Sequence, residues 1–104
     1  MIMRLVMLVA VLLVTSAQAQ EAGGLVGEGR RVFQDQGCYG CHMVGKTGTP
    51  IAPDLSHIGT KRDRAYLVRW LRDPSEQRPS AHMPKLQLSE PETESLAAYL
   101  SSLR

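Results

Sequence analysis

The residues best suited to chemistry in this 104-residue chain are two cysteines and the histidine that follows them. The segment is Cys38-Tyr39-Gly40-Cys41-His42, and C-x-x-C-H is the spacing at which c-type haem is attached. Two cysteines at this separation lie on one side of a helical turn, so both sulfurs can bond to the two vinyl groups of one macrocycle. The imidazole of the next residue is then placed to bind the iron.

Three other interpretations of the cysteines are less favoured. A thioredoxin-like redox pair shares the C-x-x-C spacing but belongs beside a βαβ pattern, which the sequence lacks. A finger-type zinc site needs two more ligands three to five residues apart, whereas twenty-four residues separate His57 from His82. A disulfide between Cys38 and Cys41 would close a very small loop and contribute little.

An iron held by one histidine has a further axial position, and a methionine is the best candidate for it. After residue 19 the sequence contains two methionines, Met43 and Met83. Met43 adjoins His42 on the same turn and cannot reach the opposite face of a haem. We therefore predict His42 and Met83 as the iron ligands, with His57 and His82 as alternatives for the second position. Histidine and methionine together raise the reduction potential of a haem.

The first 19 residues have the layout of a cleaved secretory signal peptide. Arg4 precedes an unbroken apolar run of ten residues, Leu5–Val14, and small residues follow up to Ala17-x-Ala19. A retained membrane anchor is the competing interpretation, but a span requires about 20 apolar residues. Cleavage after Ala19 is therefore expected.

Residues 20–104 then form one exported domain of nearly neutral charge. Loss of Arg4 with the leader leaves eleven Lys and Arg against ten Asp and Glu. This balance argues against a nucleic acid partner, which usually requires a basic surface. In an oxidising compartment two cysteines form a disulfide by default, unless a metal or cofactor binds them.

Helical signals occur in three places. They predict a first helix at Gly24–Gln36, which Gly37 ends. A second helix is predicted from about Lys61 to Asp73, with Thr60 as its N-cap. A third helix is predicted after Ser89, where Glu92 completes a capping box. The intervening segments 43–59 and 74–88 are interrupted by glycine and proline, and no strand is evident. The predicted fold is all-α, with three to four helices and long loops wrapped around one covalently bound haem.

These features together resemble a class I monohaem bacterial cytochrome c, with the small cytochrome c fold expected across residues 20–104. Gly29 and Phe33, in Gly-x-x-x-Phe before the C-x-x-C-H segment, resemble the N-terminal helix of that family. The resemblance implies that this helix crosses the C-terminal helix at Leu96 and Tyr99. A glycine suits such a crossing because it lets two backbones approach closely.

The resemblance also implies roles around the haem. The carbonyl of Pro53 would accept the second ring N–H of His42, and Leu55 would pack on the haem. Arg62 would pair with a haem propionate, and Trp70 would donate its indole N–H there.

The function implied is that of a single-electron carrier in the periplasm, either free there or at the outer face of the inner membrane. Its donor would be a quinol-oxidising complex or a dehydrogenase, and its acceptor a terminal oxidase or reductase. Two alternatives stay open: a cytochrome subunit tightly bound in a larger membrane oxidoreductase, and a haem enzyme or gas sensor with an open sixth site. The resemblance places docking at the haem edge, where Lys46 and Lys85 are the nearest charges in sequence.

Overall fold

The computed structural model describes residues 24–104, so the predicted leader at 1–19 lies outside the described residues. Five helices, one 3-10 turn and two very short strands follow in chain order. They are α1 (24–35), the 3-10 turn (Cys38–Gly40), β1 (Met43–Val44), β2 (Thr47–Gly48), α2 (Ile58–Lys61), α3 (Arg64–Arg72), α4 (Pro74–Gln77) and α5 (Glu90–Ser102). No helix within residues 24–104 is both long and apolar enough to cross a membrane.

Helices α1 and α5 cross at Gly29, as the resemblance implied. A Cβ atom at Gly29 would overlap the main-chain carbonyl of Ser95 and lie 2.7 Å from the Cβ of Tyr99. Phe33 is 1% exposed and Leu96 is 0% exposed. The ring of Phe33 also lies 5.6 Å, centroid to centroid, from the ring of Tyr99. The crossing therefore depends on a glycine on one helix and on tightly packed side chains of both.

Helix α3 covers the other side of α5 and completes one apolar core. The core residues are Val32, Phe33, Leu67, Val68, Leu71, Leu96, Ala97, Tyr99 and Leu100. At the surface, Arg64 pairs with Glu94 at 3.1 Å and Arg72 with Glu90 at 2.7 Å. Exposed ion pairs of this kind add little stability, so burial of apolar side chains holds α3 in place.

The predicted start of the second helix is wrong. Residues 58–61 form the separate turn α2, and the backbone at Arg62 is extended (φ −135°, ψ 140°). Asp63, not Thr60, is the N-cap of α3, because its side chain accepts the backbone N–H of Tyr66 at 2.8 Å. The hydroxyl of Thr60 instead donates to the carbonyl of His57.

The two segments expected to be irregular contain short regular elements. β1 and β2 form an antiparallel pair in which Met43 faces Gly48. After α3, residues 74–77 form the single turn α4, with Pro74 at its first position, where its missing N–H has no effect. Elements this short carry no readable hydrophobic period, which is why the sequence did not reveal them.

The ends of the two longest helices agree with the sequence. Gly37 follows α1 with a φ of 72°, a left-handed conformation that favours glycine. At the start of α5, the backbone N–H of Glu92 donates to the hydroxyl of Ser89, and the Glu92 carboxylate accepts the backbone N–H of Ser89. The predicted capping box is thus confirmed.

Candidate haem-binding site

The C-x-x-C-H segment lies on the 3-10 turn directly after α1. The carbonyl of Cys38 accepts the backbone N–H groups of Cys41, at 3.2 Å, and of His42, at 2.9 Å. The two cysteines form no disulfide with each other; Cys38 is half-buried and Cys41 is exposed. Burial raises the pKa of the Cys38 thiol. One turn therefore holds two unpaired sulfurs and an imidazole together.

The imidazole of His42 is held by the loop that follows β2. Its Nδ1 lies 2.7 Å from the carbonyl oxygen of Pro53. Because a carbonyl can only accept, Nδ1 carries the proton and donates it. The other ring nitrogen, Nε2, then has a lone pair available for a metal ion. A second hydrogen bond of this kind orients a ligating histidine and makes it more basic.

A small hydrogen-bond network holds that loop against the hairpin. The carboxylate of Asp54 accepts the backbone N–H of Ser56 at 2.8 Å and its hydroxyl at 2.6 Å. The Ser56 hydroxyl oxygen in turn accepts the backbone N–H of Gly45 at 2.7 Å. These hydrogen bonds, the one from the Ser56 side chain above all, lower the pKa of the Asp54 carboxyl. The network fixes the residue next to Pro53 and so supports its carbonyl.

The other predicted site residues of this loop and its neighbours are placed as follows. Leu55 is half-buried against the core, and its N–H donates to the carbonyl of Met43 at 2.9 Å. The side chains of His57 and His82 are exposed. Neither exposed histidine has the hydrogen-bonded support that His42 receives from Pro53.

Met83 lies in the segment between α4 and α5, half-buried against the core. Its Sδ accepts a hydrogen bond from the indole N–H of Trp70, at 3.2 Å. The thioether is therefore turned toward the α3 side of the domain. Met43, the other methionine of the described residues, lies in β1 beside His42.

Arg62 and Trp70 are engaged with protein groups in this structure. The guanidinium carbon of Arg62 lies 4.3 Å from the centroid of the Tyr66 ring. The Tyr66 ring stacks on Trp70, with centroids 6.4 Å apart and planes 18° apart. The expectation that Arg62 and Trp70 contact a haem propionate stays a prediction.

The side chains present fit a c-type haem better than an ion held by protein alone. Residues 24–104 contain no group of three or more His, Cys, Asp or Glu that could hold a metal. A porphyrin supplies four ligands itself and needs only axial groups such as an imidazole and a thioether. His42 and Met83 would hold the iron, and Cys38 and Cys41 would attach the macrocycle. The bound group would supply a one-electron couple.

Two features of the site were missed from the sequence. Asp54 and Ser56 form a local turn whose signal, D-x-S after a proline, was available. Tyr39, the first residue between the two cysteines, packs edge-on against Phe33 with ring centroids 4.8 Å apart. This contact packs the attachment segment against the α1–α5 crossing, and no periodic pattern in the sequence predicts it.

A small helical domain with a C-x-x-C-H turn and an oriented histidine has the features of a c-type haem protein. Residues 26–104 match the model of the family described as cytochrome c. The chain therefore belongs to the cytochrome c family, which carries covalently bound haem c and uses it for electron transfer.

Two relatives agree with this assignment. Cytochrome c oxidase subunit 2 of Alkalihalophilus pseudofirmus is 36% identical over 99 residues, which is 86% of this chain and 29% of that protein. The chain thus spans less than a third of that relative's length. The c-type cytochrome SorU from Sinorhizobium meliloti matches with a TM-score of 0.61 at 21% identity, over 78% of this chain and 92% of that chain. The latter match confirms the small cytochrome c fold.

Proposed function

We propose that the chain is a single-electron carrier that uses one haem c with His42 and Met83 as axial ligands. The observation that carries this proposal is the 2.7 Å contact between His42 Nδ1 and the Pro53 carbonyl. It leaves Nε2 of His42 available to the iron, on the same turn as the two thiols. The half-buried sulfur of Met83 is the partner for the opposite face.

Two protein ligands leave the iron without an open coordination position. Catalysis on a substrate would require such a position or a positioned acid and base. The chain is therefore proposed to transfer electrons without being an enzyme itself. A haem enzyme or gas sensor would require the sixth position to be open, and carbon monoxide binding to the native ferrous protein would reveal it.

The proposed location is the periplasm, after removal of residues 1–19. The apolar run and the Ala17-x-Ala19 sequence support this proposal. The proposed partners are redox proteins: a quinol-oxidising complex or dehydrogenase as donor, and a terminal oxidase or reductase as acceptor.

A second candidate function is that of a cytochrome subunit bound within a larger oxidoreductase. It is favoured by the similarity to a cytochrome c oxidase subunit 2, of which the match covers only 29%. In that case the same electron transfer would occur inside a complex.

The experiment that tests the carrier proposal is fractionation of the native cells, followed by intact mass and visible spectroscopy of the haem-bearing fraction. The proposal predicts a soluble periplasmic protein that begins at Gln20, carries one haem and has a low-spin spectrum. Acidified acetone should leave the haem on the denatured chain, because thioether bonds resist extraction. Haem that is extracted would contradict attachment at Cys38 and Cys41. Recovery only in a membrane complex would favour the subunit function.

A further inference from the structure

Cations are concentrated on one face of the domain, formed by α2, α3 and the last residues of the chain. Two adjoining clefts lie on this face. One, of about 400 Å³, lies between α2, the start of α3 and Arg104, and the other, of about 600 Å³, lies between α3 and Glu94 of α5. Six exposed cations line the clefts and together define the cationic face: Lys61, Arg62, Arg64, Arg69, Arg72 and Arg104.

The cationic face differs in charge from the rest of the domain. Three carboxylates accompany its six cations: Asp63 and Glu94 line the clefts, and Glu90 pairs with Arg72 at 2.7 Å. The remainder of residues 20–104 holds five Lys and Arg against seven Asp and Glu. A nearly neutral chain is therefore positive on one face and negative elsewhere, and such a local field attracts an anionic partner.

Backbone contacts fix the two sides of the first cleft against each other. The N–H of Gly59 donates to the carbonyl of Leu103 at 2.7 Å, and a Cβ at Gly59 would overlap the main-chain carbonyl of Ser101. The guanidinium of Arg104 donates to the carbonyl of Gly59 at 3.4 Å. Lys61 and Arg104 therefore line one cleft although like charges repel, and a bound anion relieves that repulsion.

The chemistry of the cationic face favours protein carboxylates over a lipid surface. Five of its six cations are arginines, whose planar fork can bind a carboxylate through two parallel hydrogen bonds. Binding to a membrane surface depends on inserted apolar area as well as on charge. Within residues 24–104 the exposed large hydrophobic side chain is that of Ile51, and it lines neither cleft. The clefts are concave, so a projecting chain segment can enter them, whereas a flat bilayer cannot.

The cationic face is separate from the attachment site. The residues that line its clefts belong neither to the C-x-x-C-H turn, nor to the loop that carries Pro53, nor to the segment of Met83. We propose that the cationic face binds an acidic segment of a protein that retains the cytochrome, and that it leaves the haem edge free to exchange electrons with other partners. This inference rests on the second candidate function, because a bound subunit needs a contact besides the one that it uses for electron transfer.

Titration of the purified holoprotein with a fluorescein-labelled decaglutamate peptide tests the location of binding. Lys61→Gln with Arg69→Gln removes one cation from each cleft. At low salt this variant should bind the peptide about two- to tenfold more weakly than the parent, the worth of two exposed ion pairs. Lys46→Gln with Lys85→Gln removes the same charge outside the clefts and should leave the dissociation constant as in the parent. Equal weakening by the two double substitutions would overturn the proposed location.

Photo-cross-linking in native cells tests the kind of partner. Ala65→p-benzoylphenylalanine places the cross-linker in the second cleft, at an exposed position next to Arg64. The expected adduct joins this position to one protein segment rich in Asp and Glu, and its yield should fall when Lys61→Gln and Arg69→Gln are added. An adduct with phospholipid alone would place the face on a membrane and overturn the proposal, as would the absence of any adduct.

Fractionation separates failure of this inference from failure of the subunit function. If the cytochrome is recovered in a membrane complex but Ala65→p-benzoylphenylalanine cross-links to a segment without acidic residues, the subunit function stands and the inference is wrong. If the cytochrome is recovered only as a free protein and the same variant gives no adduct, both are wrong.

Discussion

Gly29 on α1 faces the main-chain carbonyl of Ser95 on α5 so closely that no side chain fits between them. A Cβ at this position would also lie 2.7 Å from the Cβ of Tyr99. The obstacle includes backbone, which cannot move aside as a flexible side chain would. The α1–α5 crossing therefore requires glycine at this one position.

Gly29→Ala should lower the free energy of unfolding by about 1–3 kcal/mol, because even one methyl group overpacks the crossing. Denaturant unfolding of the holoprotein measures this change. Gly27→Ala is a matched control on the same helix, since a Cβ there meets nothing within 4 Å. The control should be neutral or stabilising by up to about 1 kcal/mol, because alanine is the better helix former. Equal effects of the two substitutions would mean that residue 29 does not lie at the contact.

Met83→Leu should remove the sulfur ligand while it keeps most of the apolar volume. The expected result is a lower reduction potential and a ferrous iron that binds carbon monoxide, both measured on purified holoprotein. Met43→Leu is the matched control and should leave both properties as in the parent. If Met83→Leu behaves like the parent, the second ligand must be sought at His57 or His82.

The sequence predicted a helix end correctly where the capping residues contact each other within one turn. The prediction was wrong where tertiary contacts decide which of two residues is the cap. Ser89 and Glu92 satisfy each other within one turn, so the start of α5 was visible in the sequence. Thr60 and Asp63 are both plausible caps, and packing decides between them. The N–H of Gly59 donates to the carbonyl of Leu103 at 2.7 Å, which holds α2 against the end of α5. The helix therefore ends at Lys61, and α3 begins separately at Arg64.

In the site, too, local features could be predicted from the sequence and tertiary contacts could not. The C-x-x-C-H segment is contiguous, so spacing alone indicated the cofactor. Trp70 and Met83 are thirteen residues apart and joined by irregular chain, so no period predicts that the indole N–H is directed at the sulfur. The resemblance to a family implied a haem propionate as the partner of this N–H, and that expectation stays a prediction.

The lowered pKa of Asp54 predicts sensitivity to acid. Its folded-state pKa lies below the ordinary value of 3.8, so its contribution to stability is complete above that pH. The contribution is lost as the pH falls through the lowered pKa. Asp54→Asn keeps an oxygen that can accept from Ser56 but removes the titrating charge. We expect this variant to lose less stability than the parent below about pH 4.

Acid titration followed by circular dichroism measures this difference. Asp35→Asn, at the exposed end of α1, is the control, because it also removes one exposed carboxylate but lies outside the loop of Pro53. Parallel acid curves for Asp54→Asn and the parent would mean that the carboxylate of Asp54 does not support the loop that carries Pro53.

An exposed apolar side chain lies beside Cys41. Ile51 is 74% exposed, and its N–H donates to the carbonyl of Cys41 at 3.2 Å, so it borders the attachment turn. Lys46, in the turn between β1 and β2, and Lys85, two residues after Met83, are exposed cations. A different cationic surface, a cleft of about 400 Å³ whose lining includes Lys61, Arg62, Arg64 and Arg104, lies between α2, α3 and the C-terminal residues.

We therefore expect docking to redox partners to rely on the apolar rim at Ile51, with a weak bias from Lys46 and Lys85. Residues 20–104 have a charge balance of only +1 before the propionates are counted, so no strong electrostatic field steers the encounter with a partner. Stopped-flow rates with a purified partner should fall gently with ionic strength, since exposed charges are screened beyond about 10 Å at 0.1 M. Lys46→Ala with Lys85→Ala should flatten that dependence, and Ile51→Asp should slow transfer at every salt concentration. Lys61→Ala, in the cationic cleft, is the control and should leave the profile unchanged. A steep salt dependence that survives the double substitution but is lost in Lys61→Ala would instead place the docking surface at the cationic cleft.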